Sequence, residues 1–352
     1  MRTMIDPRPN LLDLSPSEIT DLCVSLGAKP YRGRQVAAWI FRRGLTDLDQ
    51  MTDMAKDFRQ KLALAARLSR PAPLETAEDE EALKILWRLD DGQAVESVLI
   101  RERSHLTLCL SSQVGCALGC RFCRTGTLGF TRNLTPGEIL GQILGLRPYL
   151  APGEKISNLV FMGMGEPLLN RRNVMKSLAI ITDPDYLAMA RKHISISTVG
   201  LTPELPLLAQ GPAIGLTISL SAPDDQLRDQ LMPINRQYPL AGLKKALAAW
   251  PLPRGRRITI AYVLLKDVND RPEQAAALSR FLTGLKVKIN LIPFNPWPGA
   301  TFAAPELSAV ERFQETLAAR RHTVIVRWSK GRRVSAACGQ LAGQKMSSDH
   351  DA

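Results

Sequence analysis

The sequence is short of everything that would make it a membrane or secreted protein. No run of eighteen or more apolar residues occurs, so no stretch reads as a transmembrane helix. The opening Met1-Arg2-Thr3-Met4-Ile5-Asp6-Pro7 lacks the apolar core of a secretory signal. Six cysteines are too few to staple 352 residues into a disulfide framework, and three of them crowd into one loop. That pattern reads as metal-binding or catalytic thiols in a reducing compartment, so a cytoplasmic location is expected. Histidine is scarce, four in all, and none stands in the cysteine loop. Internal repeats and low-complexity segments are absent. What remains, 45% apolar and 23% charged residues, describes an ordinary soluble globular protein with length for about two domains.

The loop Cys116-Ala117-Leu118-Gly119-Cys120-Arg121-Phe122-Cys123 holds three thiols at spacings of three and two intervening residues. A structural zinc site wants four ligands, and an ordinary iron–sulfur cluster wants four cysteines. Neither set is completed here. Three thiolates on a four-iron cube leave one iron open, and an open metal position is where a metal site does chemistry. A zinc knuckle or a chance cluster of buried cysteines are the other readings of the loop.

Lys and Arg number 46 against 34 Asp and Glu, a net charge of +12. Residues 1–80 balance, so the excess lies in the remainder, at Arg101, Arg121, Arg124, Arg132, Arg171, Arg172, Lys176, Arg254, Arg256, Arg257, Lys330, Arg332 and Arg333 among others. A basic domain with charge beside a candidate active site fits a polyanionic substrate, most simply nucleic acid. Solvated surface charge with no partner is the plainer alternative.

Along the chain, residues 1–75 read as a helical module. Ser15-Pro16-Ser17-Glu18 opens one helix, Tyr31 to Ile40 carries a second, Asp53 to Leu64 a third, and Pro71-Ala72-Pro73 closes the module. Cys23 reads as a buried small hydrophobe. Residues 76–104 form a β-extension: Leu83, Ile85, Trp87 and Leu89 alternate, Asp90-Asp91-Gly92 turns the chain, and Ala94 to Ile100 returns. Glu96 on that return strand is either its solvent face or functional. Residues 105–343 alternate strands and helices. Thr135-Pro136-Gly137-Glu138 predicts a capped helix to about Leu146. Strands are predicted at Asn158–Met162, His193–Ser197, Gly215–Leu220, Arg257–Leu264, Val287–Ile292 and Thr323–Arg327, with helices at Arg271–Leu282 and Glu306–Arg320. Such alternation argues an α/β fold on a parallel sheet, with working residues at the strands' C-terminal ends. Residues 344–352 are expected to be a frayed tail.

The cysteine loop resembles the radical S-adenosylmethionine (SAM) superfamily. Taken with Gly163-Met164-Gly165-Glu166-Pro167-Leu168-Leu169-Asn170, Met232-Pro233-Ile234-Asn235, Asn290-Leu291-Ile292-Pro293-Phe294-Asn295-Pro296 and Ala336-Ala337-Cys338-Gly339-Gln340-Leu341, it resembles the RlmN/Cfr family of rRNA adenosine methyltransferases. The resemblance implies a partial (β/α)6 TIM-like barrel with a small N-terminal helical domain and a β-hairpin extension. It implies a [4Fe-4S] cluster on Cys116, Cys120 and Cys123, whose open iron is chelated by SAM. Gly165, Glu166, Ser197, Ser219, Leu220, Ser221 and Asn295 match the SAM-contacting positions. It further implies a methyl group carried by Cys338, a proton acceptor at Glu96, and a resolving thiol at Cys109 that forms a transient disulfide. The implied substrate is adenosine 2503 of 23S rRNA, with adenosine 37 of some tRNAs. Pro293 to Ala300 looks closer to RlmN, which methylates C2, than to the C8-methylating relatives. A non-catalytic iron–sulfur RNA-binding factor is the other class of reading, against which Cys109, Cys338 and Glu96 argue. An electron donor such as flavodoxin or ferredoxin, no membrane partner and a monomeric state are expected. Three positions depart from the family pattern: Ser221 stands where histidine is common, Arg124 replaces a small residue, and 330–335 is basic where relatives carry an acid.

Overall fold

The structure, a computed structural model, describes residues 6–102, 104–331 and 335–341. The expected tail at 344–352 lies outside them. Twelve strands are assigned among the described residues: β1 Ala72–Glu78, β2 Ala82–Arg88, β3 Ala94–Glu102, β4 His105–Cys109, β5 Gln113–Gly115, β6 Phe130–Asn133, β7 Ile156–Phe161, β8 Ile194–Thr198, β9 Gly215–Ser219, β10 Ile258–Leu264, β11 Val287–Pro293 and β12 Val324–Val326. Ten form one sheet in the order β1-β2-β3-β4-β7-β8-β9-β10-β11-β12, and β5 with β6 makes a small second sheet.

The large sheet changes character at β4. From β1 to β4 neighbours are antiparallel. From β4 onward every pair is parallel, and helices return the chain between strands. Six parallel strands carry the barrel-like wall, and three-residue β12 adds a short edge. The buried core runs continuously from the N-terminal helices through this wall.

Local chemistry explains the elements. Helix Pro16–Ser25 begins where Ser15 Oγ accepts from Glu18 N at 3.2 Å, while the Glu18 carboxylate takes Ser15 N at 2.6 Å. Helix Pro136–Leu144 begins with the same reciprocal cap between Thr135 and Glu138. The β2–β3 hairpin closes at the predicted Asp90-Asp91-Gly92, with Leu89 N donating to Gln93 O at 2.8 Å.

One expected boundary shifts. The last helix of the N-terminal module ends before Pro71-Ala72-Pro73, but β1 starts within that segment, so the boundary expected at residue 75 falls inside a strand. As the sheet's edge strand, with a bulge between Pro73 and Glu75, it tolerates a proline that an inner strand would not. The N-terminal module is also closely docked. Gly137 N donates to Asp13 Oδ1 at 2.8 Å, Arg147 donates to Arg42 O at 2.9 Å, and Lys176 pairs with Glu18. Cys23 is fully buried, and burial pushes its thiol pKa up to about 11.

Candidate active site

The site lies at the C-terminal ends of the parallel strands. After β4 the chain passes into β5, which pairs with β6 and brackets the cysteine loop between them. Gly115, at φ +73°, makes that bracket possible, because a Cβ there would sit 2.0 Å from Gly129 O. The loop folds on itself: Cys116 N donates to Gly129 O at 2.8 Å, Cys123 N to Cys120 O at 3.0 Å, and Arg121 N to Leu231 O at 3.0 Å. The three thiols share one environment. Burial raises the pKa of each, pushing Cys116 up to about 12, and the charges of Cys116 and Cys123 add to the rise at Cys120. Among the described residues no three such side chains converge as ligands of a single metal ion would. Three thiols in mutual electrostatic reach, with no fourth ligand, are instead a donor set that fits a four-iron cluster held at three corners.

Beside the loop, the ends of β7, β8, β9 and β11 line the same mouth. Gly165 has φ +96°, and a Cβ on it would meet Gln113 Cβ at 2.4 Å, so only glycine lets the β7 loop reach the β5 strand. Glu166 is buried, accepts from Leu168 N and Val199 N at 3.0 Å each, and so joins the β7 loop to the end of β8. Burial raises its pKa to about 7, against the pull of those donors and of Thr198. Ser197 and Ser219 stand on neighbouring strands with hydroxyls 3.4 Å apart. Leu220 is fully buried, its N–H on Ala261 O. Ser221 is fully buried at φ +54°, and its hydroxyl accepts from Val263 N at 3.4 Å, so at this departure from the family pattern the side chain is engaged with β10. Asn295 differs from the rest. Its Nδ2 donates to Ser329 Oγ at 2.5 Å, while its buried Oδ1 has no hydrogen-bond partner among the described residues. It lines a cleft of about 340 Å³ with Phe294, Trp328 and Gln340. An orphaned acceptor in a cleft fits a ligand that brings its own donor, as the amino groups of SAM would.

The thiols outside the cluster loop converge on it. Cys109 ends β4, opposite Val98 of β3 and Val160 of β7. Burial raises its pKa, and the charge of Cys338 raises it further, so the two sulfurs lie within electrostatic reach. Cys338 has open surface at the mouth, yet enough protein surrounds it that burial, then Cys123, raises its pKa as well. Its loop is tied to the cluster loop by Arg124 N on Gly339 O at 2.8 Å and Thr125 Oγ1 on Leu341 O at 2.7 Å. Gln340 fastens the other side through Pro296 O at 2.7 Å. All six cysteines are free thiols.

Glu96 is not on a solvent face. Its side chain is 3% exposed and pairs with Lys84 Nζ at 3.2 Å, itself 6% exposed. The solvent-face alternative for Glu96 falls because its stretch of β3, like β2 beside it, is covered on both faces. Arg228 was missed as well. Buried in helix Asp225–Leu231, it donates to Val199 O (2.7 Å), Ser219 O (3.2 Å), Leu220 O (3.2 Å) and Asn235 Oδ1 (2.7 Å). It thus clamps the ends of β8 and β9, and burial lowers its pKa to about 10. The Met232-Pro233-Ile234-Asn235 motif serves this clamp, for Asn235 also donates to Asp225 and Asp229. An arginine seven residues before that asparagine was the signal available in the sequence.

Several of the basic residues named from the sequence are paired with carboxylates. Arg101 pairs with Glu78 and Glu154, Arg132 with Asp91 and Glu138, Arg171 with Glu204, and Lys330 with Glu81. Among the described residues, Arg121, Arg124 and Arg172 have no carboxylate partner within ion-pair distance. Arg254, Arg256 and Arg257 are likewise without one, but they precede β10 at the opposite pole. There they line a cavity of about 750 Å³ with Lys286, Arg320 and Arg321. Arg332 and Arg333 lie outside the described residues.

Comparison with known proteins agrees with this arrangement. Residues 9–68 match the family described as "Ribosomal RNA large subunit methyltransferase N-terminal domain", and residues 110–278 match the radical SAM superfamily. The chain is 44% identical to the dual-specificity RNA methyltransferase RlmN of Anaeromyxobacter dehalogenans and 46% identical to that of Geobacter sulfurreducens. In both cases 98% of this chain and 94% of the relative are covered. The crystal structure of a radical SAM methyltransferase from Sphaerobacter thermophilus superposes with a TM-score of 0.91 at 39% identity, over 96% of this chain and all of that one. With an RlmN-type N-terminal domain ahead of a radical SAM barrel, and identity sustained over nearly the whole length, this chain belongs to the RlmN family of radical SAM methyltransferases.

Proposed function

We propose that this enzyme methylates C2 of adenosine 2503 in 23S rRNA, and adenosine 37 of some tRNAs, with Cys338 as the carrier of the methyl group. The observation that carries the reading is the convergence of Cys109, Cys338 and the cluster loop at one mouth, with the Cys338 loop hydrogen-bonded to the cluster loop on two atoms. A [4Fe-4S] cluster on Cys116, Cys120 and Cys123 and SAM on Asn295, Glu166 and the β8 and β9 termini would supply the radical that activates the carried methyl group.

The chain's own residues then divide the work. Cys338, open at the mouth, presents its carbon to the adenine. Glu96 receives the proton that leaves C2, the broken C–H bond's electron pair remaining in the ring. Cys109, once its proton is removed, attacks the sulfur of Cys338 as a thiolate. The S–S bond forms as the S–CH2 bond breaks, and the departing carbon keeps that electron pair and takes a proton to become the methyl group of the released base. The one electron left over from the radical addition would return to the bound cluster. Burial of Cys109 keeps that thiol from idle reaction with solvent species. Arg121, Arg124 and Arg172 would contact phosphates around the mouth, where the target base is drawn from its stack. The reading extends to a monomeric cytoplasmic enzyme reduced by flavodoxin or ferredoxin.

Mass spectrometry of ribosomal and transfer RNA from cells with and without the gene tests this. The expected result is loss of 2-methyladenosine from both RNAs on deletion. An 8-methyladenosine product overturns the regiochemistry, and unchanged nucleosides overturn the substrate.

A further inference from the structure

The sheet face that carries Cys109 holds a charge pair the reaction scheme above does not use in full. In the register of the antiparallel strands, Lys84 of β2 stands opposite Val98 of β3, and Val98 stands opposite Cys109 of β4. Residues opposite one another share a face, and so do residues two apart on one strand. Lys84, Glu96 and Cys109 therefore project from one side of the sheet. The other side of β2 carries Trp87, which packs under Gly145, the residue that caps the end of helix Pro136–Leu144. On the shared side, Lys84 Nζ lies 3.2 Å from Glu96 Oε1 and 3.5 Å from the carbonyl oxygen of Ser335, three residues before Cys338.

An ammonium and a carboxylate this deeply buried are costly to desolvate, and replacing both by apolar side chains would cost a fold little. Lys84 is thus poorly explained as a stabilising residue, and its two contacts point elsewhere. One is the group read above as the proton acceptor. The other is the main chain of the loop that carries the methyl-bearing sulfur. Glu96 is held from its own backbone too, because its carbonyl accepts Ser111 Oγ at 2.5 Å, and the same hydroxyl accepts Met164 N at 2.8 Å.

We propose that Lys84 is a positioning residue that sets the Glu96 carboxylate and the Cys338 loop in register, so that proton removal from the adenine and release from Cys338 occur in one geometry. The proposal rests on the reading of Glu96 as the base. Lys84 touches no substrate atom, and it acts through Glu96 and Ser335. A misplacement of about 1 Å in such a constellation costs on the order of 100-fold in rate, and that is the loss expected at the release step.

The test uses the full chain with its cluster reconstituted and a labelled rRNA fragment on denaturing gels. Lys84→Met should retain the cluster and form the covalent RNA adduct on Cys338, then release it about 100-fold more slowly, so that adduct accumulates. Lys84→Gln, which stays polar but loses the charge and is one bond too short to reach both oxygens, takes its place where Lys84→Met does not fold, with the same slowed release expected. Lys84→Arg, which keeps the charge, should recover most of the rate. Glu96→Gln should accumulate the same adduct. Lys84→Met/Glu96→Gln should be slower than Glu96→Gln by less than the factor lost in Lys84→Met alone, because part of the Lys84 effect runs through Glu96 and the rest through Ser335. Normal release in Glu96→Gln overturns the base assignment. Stalled release in Glu96→Gln beside normal release in both Lys84→Met and Lys84→Gln overturns the Lys84 proposal alone. Losses that multiply in full in the double variant also overturn it, since they leave Lys84 no action through Glu96.

Discussion

The two walls of the mouth are built on opposite principles. The parallel wall, at the ends of β7 to β11, is made of main chain, hydroxyls and an amide. Its ionisable groups are either clamped by backbone, as Glu166 is by Leu168 N and Val199 N, or themselves the clamp, as Arg228 is. Among the described residues it leaves two buried acceptors, Asn290 Oδ1 within β11 and Asn295 Oδ1 at its end, unanswered. The antiparallel wall, β2 to β4, is made of side-chain chemistry: a carboxylate, an ammonium and a thiol on one face, covered by the loop of Cys338. A parallel sheet ends in a row of loops suited to holding a cofactor. An antiparallel hairpin instead sets side chains from neighbouring strands directly opposite one another, which suits a relay of proton and thiol chemistry.

The largest expected effect strikes both walls together. Alanine at Cys116, Cys120 or Cys123 should abolish iron–sulfur absorbance and SAM cleavage, because each thiolate holds one iron. A variant with a full cluster and normal SAM cleavage would detach the loop from both walls.

Next come the two thiols outside the cluster loop, which lie within electrostatic reach of each other. Cys338→Ala should keep the cluster yet form no RNA adduct, having no sulfur to carry the methyl group. Cys109→Ala should stall with RNA attached to Cys338, because no thiolate attacks that sulfur. A denaturing gel with labelled RNA distinguishes the two failures. Normal turnover in Cys109→Ala, or adduct in Cys338→Ala, would remove the division of labour between them.

The parallel wall alone should respond to Asn295→Leu. Losing a hydrogen bond of about 1.5 kcal/mol to a charged ligand weakens SAM binding by about tenfold. Calorimetry of SAM binding to the reconstituted protein measures it, and the rate of adduct release should not move. A release defect in this variant would mean the two walls are not separable.

The smallest effect is expected farthest from the mouth. Charge reversal at Arg254, Arg256 and Arg257 should lower affinity for a large rRNA fragment and flatten its salt dependence, with each lost phosphate contact reducing the slope by about one. A short hairpin that reaches only the mouth should bind as before. Salt titrations of both RNAs measure this, and an unchanged slope with the large fragment returns the far cavity to ordinary surface charge.

Local signals in the chain were reliable guides where the physics is local. The strand predicted at Arg257–Leu264 is observed at Ile258–Leu264, and that at Val287–Ile292 is observed at Val287–Pro293. Thr135 and Glu138 start their helix as the capping pattern requires. β1 escaped because its burial does not alternate cleanly and two prolines flank its start, features an edge strand can carry. Arg101, Arg132 and Arg171 read as free basic charge because their carboxylate partners are tens of residues away for most of these contacts.

By itself the sequence determined the chemistry available to this protein: three thiols with no fourth ligand, two more thiols, a carboxylate on a strand and an alternating α/β chain. Those follow from residue type, spacing and periodicity, which neighbours along the chain settle among themselves. Only the tertiary structure decided how that chemistry is arranged. Strand register sets Lys84 beside Glu96 and aligns both with Cys109, and a loop more than two hundred residues later closes over them. Burial then turned a polar strand position into a counter-ion and Arg228 into a clamp. Both outcomes depend on which strands pair and what covers them, and that is settled by packing between distant segments.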